Sequence, residues 1–83
     1  MEKQIKKILI VRFSSLGDII LTEPIVRYLR IHYPEAKIDY LTKKAFKSVV
    51  QHFTDLNNIL LWENKSALLK YIRNEQYDIL IDL

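Results

Sequence analysis

Lys6-Lys7-Ile8-Leu9-Ile10-Val11-Arg12-Phe13-Ser14-Ser15-Leu16-Gly17-Asp18 is the stretch on which the reading of this 83-residue chain turns. Its first half, up to Arg12, is a short, β-branched and continuously apolar run. That is the pattern of a strand buried on both faces, as in a parallel sheet covered by crossover helices. Ser14 to Gly17 then break the run, and the chain turns. Beyond the turn Ile25, Val26, Leu29 and Tyr33 recur at helical spacing, with Arg27 and Arg30 pointing away from the stripe. Pro24 suits a first helical turn, where its missing N–H costs nothing, so Ile19 to Thr22 are expected to form a separate turn before it. Pro34 stops the helix.

Further along, Lys37-Ile38-Asp39-Tyr40-Leu41-Thr42 begins by alternating polar with apolar, which predicts a second strand with one face less buried. Phe46, Val49, Val50 and Phe53 fall at i, i+3, i+4 and i+7 and predict a second helix, leaving Lys43, Lys44, Lys47 and Gln51 mostly on its outer side. After a polar break at Asp55 to Asn58, Ile59-Leu60-Leu61-Trp62 reads as a third strand. Ser66 is the expected N-cap of a third helix whose stripe is Leu68, Leu69 and Ile72. Ile79-Leu80-Ile81 makes a fourth strand. The order β-α-β-α-β-α-β predicts an α/β, Rossmann-like parallel sheet with right-handed crossovers and strand order 3-2-1-4. No helix follows the last strand, so residues 1–83 read as one truncated domain, the front part of something longer. Such a chain is expected to expose an apolar sheet face or edge and to self-associate.

Composition removes several classes of function. One glycine, Gly17, stands where average usage of ~7% predicts about six. The glycine-rich dinucleotide and P-loop phosphate cradles are therefore absent, since both need several. No cysteine means no disulfide, no thiolate nucleophile and no Cys-ligated zinc, and two histidines are too few for a histidine-built metal site. The net charge of +3 is too small to imply nucleic acid, and Lys43, Lys44 and Lys47 read as solvated surface. No apolar run approaches the roughly 18 residues of a membrane span. Met1 to Lys7 is basic but leads into a strand without a cleavage site, which argues against a secretory signal. His32 and His52 read as helix-end residues, and Trp62 and the tyrosines as packing or interface residues.

Ligands of open parallel sheets bind beyond the carboxyl ends of the strands, where connections diverge to the two sides. The first strand delivers Ser14, Ser15, Gly17 and Asp18 to that edge, and the fourth delivers Asp82 opposite them. Gly17 permits a turn or a close approach to a ligand, and Ser14 and Ser15 offer hydroxyls. Asp18 or Ser15 can equally cap the exposed N–H groups of the next helix, a role that needs no substrate.

The run Ile8 to Asp18 with its S-S-x-G-D block, followed by Thr22-x-Pro24 and Leu29, resembles the heptosyltransferase family, glycosyltransferase family 9. The resemblance extends through Tyr77-Asp78-Ile79-Leu80-Ile81-Asp82-Leu83. It implies the front part of the N-terminal, acceptor-side domain of a two-domain GT-B protein that moves heptose from an ADP-heptose donor to the lipopolysaccharide inner core, inverting the anomeric centre without a catalytic metal. No other cofactor is implied. Asp18 falls on the family's aspartate, where it would act as general base on the acceptor hydroxyl. Gly17 would let the loop approach the sugar, and Ser14 and Ser15 would help position it. The partners implied are the nucleotide-sugar donor, a lipopolysaccharide-precursor acceptor and the missing C-terminal domain, in the cytoplasm at the inner face of the inner membrane. Lys43-Lys44-Ala45 departs from the family, so acceptor preference does not carry over. On its own the chain is expected to be inactive. Two other classes fit the same element order: a receiver-like regulatory module, disfavoured because Arg12-Phe13-Ser14 stands where Mg²⁺-binding carboxylates belong, and a non-catalytic binding or assembly module.

Overall fold

A computed structural model describes residues 4–83; Met1 to Lys3, the front of the basic N-terminal stretch, lie outside the described residues. Four strands, β1 (Lys7–Val11), β2 (Lys37–Thr42), β3 (Asn58–Leu61) and β4 (Ile79–Asp82), form one sheet. All pairings are parallel, in the order β3-β2-β1-β4 that the sequence predicts. Leu9 stands opposite Asp39 on β2 and Leu80 on β4, so β1 is interior, which is why its apolar run is uninterrupted.

Side chains alternate across the sheet. Ile8, Ile10, Ile38 and Tyr40 face one layer, packed against Ile19, Val26, Leu29, Val50 and Phe53. These come from α1 (Leu16–Ile20), α2 (Glu23–His32), α3 (Lys47–Val50) and the turn after α3. Leu9, Val11 and Leu41 face the other layer, where Leu68 and Ile72 of α4 (Lys65–Glu75) cover them. The first two crossovers lie on one side and the third on the other, so the connections part at the carboxyl ends of β1 and β4.

Several local expectations are corrected. The segment before α2 is itself a helix beginning at Leu16, with Ser15 at its N-cap. The stripe Phe46 to Phe53 does face the core, but only Lys47 to Val50 are α-helical, after a tight 3₁₀ turn at Lys44–Phe46. Phe53 is buried from the following turn, donating its N–H to the Val50 carbonyl, and places its ring edge-on to Tyr40 at 5.9 Å. His52 accordingly lies past the end of α3. The N-cap of α4 is Asn64, not Ser66; its Oδ1 accepts from the Ala67 N–H at 3.3 Å. Leu69 is exposed because α4 packs along Leu68 and Ile72, one helical step away.

Arg30 does not simply point into solvent. Its guanidinium donates to the Pro34, Ala36 and Asp55 carbonyls and to Asn57 Oδ1, tying the end of α2 to the turns before β2 and β3. Asn57 Oδ1 also accepts the Ile38 N–H, so one side chain joins both strand entrances.

Nor is β2 less buried on one face. Asp39 is fully buried on the α4 side, where its carboxylate accepts from Tyr77 Oη at 2.5 Å and Asn58 Nδ2 at 3.0 Å, with Lys37 Nζ at 3.8 Å. Lys37 and Lys7 reach on to Glu75 at 2.8 and 2.9 Å. The hydrogen bond from Lys37, then that from Lys7, lowers the Glu75 carboxyl from 4.5 to about 2. The same pairing with Glu75 raises the Lys37 ammonium above its ordinary range. Because the folded value of Glu75 is depressed, its contribution is complete above the unfolded value of 4.5 and is lost as pH falls through about 2. A thermal melt series is expected to show the melting temperature falling across this window. Glu75→Gln is expected to flatten that slope, and an unchanged slope would show that Glu75 does not govern it.

Candidate functional site

The carboxyl end of β1 runs into Arg12 and Phe13, then into Ser14 and Ser15, which are joined by a cis peptide bond and lead into α1. Two features hold this loop against the sheet. Phe13 packs on Trp62 with ring centroids 5.2 Å apart, crossing over the end of β2. On the other side Thr22, between α1 and α2, donates its hydroxyl to the Ile19 carbonyl at 2.6 Å. The buried Tyr40 hydroxyl, 2.8 Å from Thr22 Oγ1, must then be the donor in that pair. Burial raises the Tyr40 phenol, keeping that proton in place.

Asp18, at the third position of α1, is half exposed, with 52% of its side chain accessible. Its Oδ2 accepts from Ser15 Oγ at 3.0 Å, the Ser15 N–H at 3.5 Å and Arg12 Nη2 at 2.9 Å. The Ser15 hydroxyl, then the Ser15 N–H, then the Arg12 charge hold the carboxyl below the usual aspartate range. Asp18 therefore does reach back to the N-cap, as the capping reading anticipates, and remains open to solvent while doing so. Ser15 spends its hydroxyl proton on Asp18. Ser14 is exposed, and its hydroxyl meets no partner among the described residues.

Gly17 lies within α1 without a positive φ, and a Cβ there would meet nothing within 4 Å. The backbone turn offered as one reason for glycine is thus corrected: no turn or neighbour in the chain requires it. Asp82 is also displaced. Alternation along β4 sends it to the α4 side, and Leu83 comes back to the crevice instead. There Arg12, Asp18, Leu21, Thr22, Ile25 and Leu83 enclose about 160 Å³, a notch large enough for one small polar group. Arg12 is the site residue that the sequence does not single out. A basic residue six positions before the acid, just past the end of β1, is the available signal.

Lys43 and Lys44 are exposed, and Lys44 Nζ comes only within 4.0 Å of Glu63. Trp62 is a packing residue of the second layer, with Lys65 Nζ over its ring at 5.5 Å. His32 ends α2 and stacks on Tyr28 at 4.0 Å.

An open parallel sheet with an exposed, hydrogen-bonded carboxylate and no glycine-rich cradle at its switch point defines an α/β protein of GT-B type. The chain is similar to lipopolysaccharide heptosyltransferases and to proteins of glycosyltransferase family 9. It is 30% identical to lipopolysaccharide heptosyltransferase 3 of Escherichia coli over 78 residues, 81% of this chain and 23% of that protein. With the lipopolysaccharide core heptosyltransferase OpsX of Haemophilus influenzae it shares 22% identity over 83 residues, 94% of this chain and 24% of the relative. The crystal structure of a glycosyl transferase family 9 protein from Veillonella parvula matches the whole chain with a TM-score of 0.84 at 25% identity, covering 27% of that structure. The E. coli heptosyltransferase WaaC with ADP shares the fold, with a TM-score of 0.71 at 23% identity over 92% of this chain and 27% of that one. No protein-family model matches the chain. The chain thus spans about a quarter of the length of these relatives.

Proposed function

We propose that this chain is the acceptor-side part of a transferase that moves heptose from ADP-heptose to a lipopolysaccharide precursor, with Asp18 as general base. The observation that carries the reading is the exposed Asp18 carboxylate at the carboxyl edge of β1, kept ionised by Ser15 and Arg12. As the acceptor oxygen attacks the anomeric carbon, that carbon's bond to the diphosphate oxygen breaks and ADP leaves with the electron pair. The hydroxyl proton passes to Asp18. A strongly ionised carboxylate is a weak base, yet it suffices here, because the hydroxyl becomes acidic only as the new bond forms. The negative charge also stabilises an oxocarbenium-like centre.

Catalysis needs donor and acceptor held in one closed geometry, so these 83 residues alone are inactive in this reading. The test is to assay ADP release and heptosylated product from ADP-heptose and lipopolysaccharide precursor, using the transferase that carries this segment together with a donor-binding domain. Product from that protein and none from residues 1–83 is expected; the absence of product from both would overturn the reading. In this reading the site of action is the inner face of the inner membrane; no helix among the described residues is long and apolar enough to cross a membrane.

Gly17 belongs to this reading through the space beside it. Gly17→Ala is expected to leave the melting temperature of the chain unlowered, because alanine favours the helix and meets no neighbour. In the complete transferase it is expected to raise the acceptor KM, and unchanged kinetics would remove Gly17 from the site.

Leu80 supports the further expectation of self-association. It is 58% exposed on the edge strand β4, on the α4 side of the sheet but outside the cluster that α4 covers. Sedimentation at rising concentration is expected to show association of the chain that Leu80→Lys abolishes. A monomer at every concentration would count against it.

A further inference from the structure

We propose that Arg12 is a positioning residue for the Asp18 carboxylate: together with Ser15 it occupies Oδ2, leaving Oδ1 as the atom that faces the acceptor hydroxyl. All three donors that reach Asp18 converge on Oδ2, and no donor among the described residues meets Oδ1. A carboxylate with one oxygen held and the other open to solvent is fixed in direction, whereas an exposed aspartate with no such partners rotates about its terminal bond.

Arg12 itself is well placed to hold still. Its backbone N–H donates to the Leu41 carbonyl at 3.1 Å, so its Cα is locked to β2. Its side chain is only 27% exposed and lines the same notch as Asp18, Thr22 and Leu83. Its Nε is buried and has no hydrogen-bond partner. A buried N–H left unpaired is unfavourable, and it persists here while the guanidinium leans outward so that Nη2 reaches Asp18. Ser15 approaches from the N-cap side and Arg12 from the strand side, so the two donors bracket one oxygen. Arg12 is the charged group that faces Asp18 among the described residues; the Tyr40 and Thr22 hydroxyls nearby are neutral and paired to each other.

The inference rests on Asp18 being the base, and its tests separate the two ideas. In the 83-residue chain, carbon-detected NMR follows the Asp18 carboxyl through a pH titration in the native, Arg12→Gln and Arg12→Lys forms. Arg12→Gln is expected to move the midpoint up, toward the ordinary aspartate value, and Arg12→Lys to restore part of the shift. In the complete transferase Arg12→Gln is expected to lower kcat at least about tenfold with little change in KM, and to shift the acid limb of the kcat profile upward in step. A midpoint that does not move, or unchanged kcat in Arg12→Gln beside a crippled Asp18→Asn, overturns the role of Arg12 and leaves the base in place. Near-normal turnover in Asp18→Asn overturns both.

Discussion

Asp18→Asn is expected to lower kcat of the complete transferase by about 10² to 10⁴-fold, with KM for donor and acceptor changed only a few-fold. The amide has the same outline, and Arg12 and Ser15 will turn its carbonyl oxygen toward themselves, because all of their contacts are donations to Oδ2. The NH₂ group then points to where Oδ1 lay and cannot take a proton. The substitution leaves the core untouched, so circular dichroism and the melting temperature are expected to stay close to those of the parent. The parent's pH profile gives a second check. A base whose folded pKa is depressed works wherever it is ionised, so activity is expected to fall only as pH drops below the ordinary aspartate range. Retention of a tenth or more of the parental kcat in Asp18→Asn would exclude general-base catalysis by this residue.

The largest expected effect on stability lies at the other end of the sheet. Asp39 is wholly buried, and its two oxygens are satisfied by Tyr77, Asn58 and Lys37. Burial, then the bond to Asp39, raises the Tyr77 phenol far above its ordinary value, so the hydroxyl remains a donor at every physiological pH. Tyr77→Phe removes that donor from a buried carboxylate, at a cost of about 1.5 to 3 kcal/mol. For a domain of this size that corresponds to a fall in melting temperature of roughly 6 to 24 °C. Asp39→Ala strands three partners at once and is expected to cost about 3 to 5 kcal/mol. A chain of this length has roughly 4 to 12 kcal/mol in total, so this loss takes a large part of its stability. Thermal melts by circular dichroism measure both; a Tyr77→Phe melt that coincides with the parent would show that the bond contributes nothing net.

Asp39 also marks where sequence reading stops. The interior place of β1 was legible, because Ile8 to Val11 are apolar on both faces and only a doubly covered strand needs that. The strand order followed from it. Asp39 looked like the solvent face of an alternating strand, since periodicity registers polarity and is blind to a tyrosine 38 positions away. Arg30 escaped for the same reason: its partners are carbonyls in turns, which have no sequence signature. Asn64 displaced Ser66 as the cap, and no spacing rule separates two capping residues two positions apart. At the site, the S-S-x-G-D block located Asp18, Ser15 and Gly17. The convergence of donors on a single oxygen became visible only in three dimensions, as did the swing of Asp82 away from the crevice and the part played by Arg12.

The central position of β1 has a consequence for synthesis. One neighbour of β1 is β4, which is made much later; Lys7 and Asp78, which join at the start of that pairing, are 71 positions apart. At about 5 to 20 residues per second the free edge of β1 waits roughly 4 to 14 s for β4. During that interval β1 presents Ile8, Leu9, Ile10 and Val11 beside a row of unpaired backbone groups, a template for any other nascent strand. The strand that anchors the finished site is thus the chain's most vulnerable segment while it is being made, and a trigger-factor-like holdase acting on residues 8–11 would have its greatest effect before residue 79 emerges.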